Sequence, residues 1–186
     1  MRIASCLCAL SLTVSATAGI IGQPRFVQPT VAATPAGYIV NDLLVDFDGR
    51  IFGQQLLIEL TQGSIYNTPD FGGNSPPNAA IFSLVPELAS DSFVAMGGAD
   101  AATSAPVLIV GGAVDLHDGP TRLVFDDERV SIAWAATPGL IIQDQLNFQI
   151  ARLTLSDDAI GRVALYTSYC TAAMFPDRIA LTVRGW

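Results

Sequence analysis

VSIAWAATPGLIIQDQLNFQIARLTLSDDAIGRVALYTSY, residues 130–169, decides the fold. Val130, Ile132 and Trp134 fall on one face of an extended chain and Ser131, Ala133 and Ala135 on the other. A period of two marks a strand with one buried face. Thr137-Pro138-Gly139 supplies turn chemistry. The next strand, Leu146 to Leu155, changes phase: Phe148 and Ile150 share one parity, Leu153 and Leu155 the other. One extra residue near Ala151-Arg152, a β-bulge, would bring these four apolar side chains to one face. Ser156-Asp157-Asp158 and Gly161 bound a second turn, after which Val163, Leu165, Thr167 and Tyr169 resume the alternation.

Outward from this stretch the same pattern recurs. Ile39, Leu43, Val45 and Phe47 share a parity, and Asp48-Gly49 reads as a turn pair before Gly53–Leu60, so an antiparallel hairpin is expected over residues 39–60. Asn67 to Pro77 is loop. A helix of about two turns is expected at Ala79–Val85, capped by Ser75 or Asn78 and stopped by Pro86. Ser92–Met96 is a candidate strand and Gly97–Ala105 a small-residue loop. The apolar run from Pro106 to Leu116, split by Gly111-Gly112, reads as a buried strand with a kink or bulge. Ile179–Arg184 closes the series. Short strands with one or two short helical turns predict an all-β chain, an antiparallel β-sandwich, of which the jelly-roll is one type.

Residues 1–18 read as a secretory signal: Arg2, a small-and-apolar run from Ile3 to Val14, then Ala16-Thr17-Ala18 before Gly19. The run is short and dotted with Ser and Thr, unlike a membrane anchor, so no membrane span is expected in the mature chain. Residues 19–37 read as an extended lead-in, with Phe26-Val27 pairing at a sheet edge, and residues 38–186 as a single sandwich domain. The expected localisation is extracellular or at the cell surface, with the periplasm as the alternative. Cys6 and Cys8 would leave with the signal, so Cys170 would have no intrachain disulfide partner.

Of 186 residues 51% are hydrophobic and 14% charged, which speaks against disorder. Every basic residue is arginine and the formal net charge is −8, so nucleic acid and anionic membranes are repelled. No G-x-S-x-G, H-E-x-x-H or C-x-x-C motif occurs. The sole histidine, His117, precedes Asp118-Gly119 and reads as a loop residue rather than a triad member. No carboxylate pair is singled out by spacing, as a glycosidase would require. A non-catalytic chain is therefore expected, with a hydrolase as the remote alternative.

Two kinds of site are candidates. Asp46-Phe47-Asp48-Gly49 and Asp126-Asp127-Glu128 gather oxygen ligands, making Asp46, Asp48, Asp126 and Asp127 candidate calcium ligands. Polar turns at a sheet edge are the plainer account of both. Tyr66, Tyr166 and Trp186 are candidate sugar-stacking residues, because an aromatic face is flat and apolar. Tyr166 has the parity opposite to Leu165 and is expected to point outward, whereas Trp134 is expected in the core.

The segments GQQLLIELTQGSIY, FSLVPELASDSFVA, GGAVDL, FDDERVSIAW and FQIARLTLSDDAIGRV, spread over Tyr38 to Val163, resemble a group of secreted bacterial proteins that often bear PEP-CTERM sorting signals. The chain ends at Arg184-Gly185-Trp186, without that group's Pro-Glu-Pro motif, apolar helix and basic tail. The later half is also similar to cohesin-like sandwich domains, which bind partner modules through a sheet face. The resemblance implies a binding or structural module acting on an extracellular protein through a sheet face or edge. Recognition of a polysaccharide is the alternative.

Overall fold

The computed structural model describes residues 19–115, 119–169 and 177–183. Residues 1–18, expected as a secretory signal, and His117, Cys170 and Trp186 lie outside the described residues. The chain is all-β, with a large antiparallel sheet curled until it nearly closes. In order the strands are β1 (Gly19–Ile20), β2 (Arg25–Val27), β3 (Tyr38–Gln62), β4 (Phe93–Val94), β5 (Val107–Gly111), β6 (Val114–Asp115), β7 (Gly119–Pro120), β8 (Val124–Phe125), β9 (Arg129–Ala136), β10 (Ile142–Ser156), β11 (Ile160–Tyr169) and β12 (Asp177–Val183). Among the described residues only β6 and β7 stand outside the main sheet, as a pair of their own.

β3 organises the rest, and it corrects the expected hairpin. It is one strand of 25 residues. Asp48-Gly49 bends it without reversing it into a self-paired ladder. Gly49 has φ 73, and its N–H donates to the Asp144 carboxylate at 2.7 Å instead of closing a tight turn. The first half of β3 pairs with β10, from Ser156↔Tyr38 to Ile142↔Ile51, and on its other side with β1 and β2. The second half pairs with β11 on one side and β9 on the other. The bend sets the two halves across from each other, so Leu43, Val45 and Phe47 meet Leu56 and Ile58 in one core.

The phase change in β10 is a bulge, as its apolar pattern requires. The register runs Phe148↔Val45, Gln149↔Leu44 and then Ala151↔Leu43, leaving Ile150 as the extra residue. Phe148, Ile150, Leu153 and Leu155 consequently all enter the same core. Val130, Ile132 and Trp134 of β9 complete it. Trp134 is fully enclosed and its indole N–H donates to the Ala95 carbonyl at 3.0 Å, which satisfies its one polar atom.

Between β3 and β4 the expected helix is a pair of 3-10 turns, Ala79–Ile81 and Pro86–Ser90. Asn78 caps the first by accepting from the Ala80 N–H at 3.0 Å. Pro86 opens the second, where its missing N–H costs nothing. The second turn is fastened by Arg152, which donates to the Ala89 carbonyl at 2.8 Å and to both carboxylate oxygens of Asp42 at 2.7 and 2.9 Å. Gln149 donates to the same carboxylate at 2.8 Å. A buried charge requires such complete pairing.

The loop from Asn67 to Pro77 is held in a similar way. The Asp91 side chain is enclosed and accepts from the Thr68 N–H at 2.6 Å and the Gly73 N–H at 2.9 Å. Burial pushes its carboxyl above the usual range, opposed by these hydrogen bonds.

Candidate functional site

The carboxylates of three candidate calcium ligands, Asp46, Asp48 and Asp126, are engaged by the protein itself. Asp46 accepts from both terminal nitrogens of Arg25 at 2.8 and 2.9 Å and from the Asn147 N–H at 2.6 Å. The Arg25 hydrogen bonds, with the Asn147 amide, hold its carboxyl below the usual range. Asp48 accepts from the Gly19 N–H at 2.9 Å. Asp126 closes a polar turn by accepting from the Glu128 and Arg129 N–H groups at 3.1 and 2.7 Å. The Asp127 side chain is exposed, and its carbonyl accepts from the Ile65 N–H at 2.7 Å. Among the described residues no three His, Cys, Asp or Glu side chains converge as a metal-binding group.

Of the aromatic candidates, the two described, Tyr66 and Tyr166, are not brought together. Tyr66 is half-buried and its ring packs on Tyr38, with centroids 5.5 Å apart. Tyr166 corrects the expectation of an outward tyrosine. Its parity is indeed opposite to that of Leu165, but the outer face there is covered: Tyr166 packs with Leu57, Ala113 and Ala164 in a second, smaller core. The cover is the segment around β6. It is pinned by the Ala113 N–H donating to Ser131 Oγ at 3.0 Å, the Val114 N–H donating to Gln55 Oε1 at 2.7 Å, and a Thr121–Ser131 hydroxyl contact. A ring enclosed on this face cannot stack on a sugar.

Glu59, Asp42 and Asp91 are likewise committed to arginines or to backbone. Glu59 sits between Arg129 and Arg162, at 3.4 and 2.5 Å. Asp42 and Asp91 are enclosed and serve the two loop anchors described above.

The feature that stands out is β5. The run expected as a buried strand lies at the edge of the sheet, paired along one side with β9 and with no strand on its other side among the described residues. Val107 and Ile109 pack against the core, while Leu108 is 45% and Val110 63% exposed. Gly111 follows a register shift, so Val110 is the extra residue of a bulge that lifts it off the ladder. No charged residue occurs from Ala101 to Val114. Proteins ordinarily protect a free edge with charge, proline or a bulge. β5 carries no charge and no proline within its span, and its bulge comes only at Val110, near its end. Its uniformly apolar sequence concealed the alternation, because Leu108 and Val110 are as hydrophobic as their inward neighbours. The absence of charge was the visible signal.

Among the described residues no helix is long and apolar enough to cross a membrane. Comparison with known proteins finds no matching family model, no matching curated protein and no matching solved structure.

Proposed function

We propose that the chain is a secreted, non-catalytic binding module that takes an extended segment of an extracellular protein along the free edge of β5. The carrying observation is that edge itself: β5 pairs with β9 on one side only among the described residues, and its outward side chains, Leu108 and Val110, are apolar and exposed. Strand addition uses such an edge twice, backbone hydrogen bonds giving affinity and alternate side chains giving specificity. The resemblance to cohesin-like domains and the signal-like residues 1–18 support the same reading. The net charge of −8 favours a neutral or basic partner segment.

The test is capture from the extracellular fraction by the immobilised protein, comparing wild type with Leu108→Lys and Val110→Lys. A lysine on a free edge blocks strand pairing without touching the core. The expected result is a protein partner retained by the wild type and lost, by about tenfold or more in affinity, from Val110→Lys. Equal retention by all three proteins would remove the edge from the mechanism. Retention of a polysaccharide instead would favour the sugar-recognition alternative.

A further inference from the structure

Asp46 and Asp48 lie on one face of β3, and the lead-in runs antiparallel beside them. Asp46 has its cation, Arg25, at 2.8 Å. Asp48 forms no ion pair with a side chain among the described residues; it accepts the backbone N–H of Gly19 at 2.9 Å. Gly19 is also the residue that follows Ala16-Thr17-Ala18. β1 is fixed there independently, by the pairs Gly19↔Asp48 and Ile20↔Phe47 and by the Ile21 N–H donating to the Asp46 carbonyl at 2.7 Å. Ile20 packs against the main core. The residue that follows the cleavage motif is therefore held in the sheet, with its backbone nitrogen on a carboxylate.

We propose that Asp48 is the acceptor site for the N-terminus created on export: cleavage after Ala18 frees the α-ammonium of Gly19, which pairs with the Asp48 carboxylate. This rests on the export reading given above. Hydrolysis of the Ala18–Gly19 amide by an export endopeptidase consumes water. The hydroxyl goes to the Ala18 acyl carbon and a proton to the Gly19 nitrogen, which takes a second proton from solvent at neutral pH. A neutral N–H···carboxylate bond becomes a charge-assisted one, the stronger kind. Cleavage thus completes on Asp48 the pairing that Arg25 supplies to Asp46, and it fastens β1 across the bend of β3.

The chain has no lysine, so in the mature protein the α-amine would be the one amine present. The full chain is produced in an exporting host and the exported product is weighed by mass spectrometry. It is then labelled by reductive ¹³C-dimethylation and titrated by NMR, beside the Asp48→Asn variant. The expected result is a product beginning at Gly19 whose labelled amine titrates about half a pH unit or more above its value in Asp48→Asn. The Ile21 amide is expected to exchange with solvent more slowly in the wild type than in that variant. Equal titration and equal exchange in the two proteins overturn the proposal, as does an exported product that begins elsewhere. A chain retained in the cytoplasm overturns the export reading itself, a result distinct from either.

Discussion

The Tyr38 hydroxyl lies 2.8 Å from Ser64 Oγ, although Tyr38 opens β3 and Ser64 stands just past its end. Fully extended, a strand of this length would hold its ends about 80 Å apart. The ends meet because β10 and β11, joined by the short turn at Asp157-Asp158, grip opposite halves of β3 at Tyr38↔Ser156 and Gln62↔Ile160. Ser156 Oγ accepts from the Ser64 N–H at 2.8 Å and locks the junction.

Gly63 tests that junction. Its φ is 79, and an added Cβ would stand 2.7 Å from Ala159 Cα. Gly22 has nearly the same φ, 75, with nothing within 4 Å. Gly22→Ala is expected to cost about 1–2 kcal/mol, the left-handed strain alone. Gly63→Ala should cost clearly more, because backbone must also move. Urea midpoints of the two variants measure the difference, and equal shifts would show that the junction tolerates the extra atom.

Asp42 and Arg152 form the enclosed ion pair that fastens the turn at Pro86–Ser90. Asp42→Ala alone is expected to destabilise by about 3–5 kcal/mol, since it strands a buried guanidinium. Asp42→Leu combined with Arg152→Met should cost less than the two single changes added together. A denaturation cycle over the four proteins reads the coupling; strict additivity would mean that water already compensates each charge.

Asp91 predicts a pH dependence. Its folded-state pKa is raised, chiefly by burial, so the folded protein binds the proton more tightly than the unfolded chain. Its stabilising contribution is full below the unfolded value of about 3.9 and is lost as pH rises through the folded one. Asp46 works the other way: its lowered pKa gives stability present above the unfolded value and lost as pH falls through the folded one. Asp91→Asn leaves either the Thr68 or the Gly73 N–H without its acceptor, at a cost of about 1–3 kcal/mol. The stability advantage of wild type over Asp91→Asn should shrink as pH rises from acid toward neutral. An advantage that grows over that range would mean the buried carboxylate is not penalised.

Tyr166→Ala should behave as a core truncation, costing about 3–5 kcal/mol. If polysaccharide binding is detected at all, Tyr166→Phe should leave it unchanged. A selective loss of binding in Tyr166→Phe, with the melting temperature intact, would place the residue at a surface it does not occupy in this structure.

The sequence by itself determined what depends on neighbours along the chain. The alternation in β9 and β11, the bulge that brings Phe148 and Ile150 into line with Leu153 and Leu155, and a cap at Ser75 or Asn78 are local matters of parity and turn chemistry. The tertiary structure decided whatever depended on a distant segment. Asp48-Gly49 would suit a hairpin turn, but Asp144 takes the Gly49 N–H and the strand bends on. Tyr166 has an outward parity, but Ala113 covers it. Val110 has a buried residue's chemistry, but no strand arrives beside it among the described residues. Period two assigns a side chain to a face; only the rest of the fold says whether that face meets protein or water.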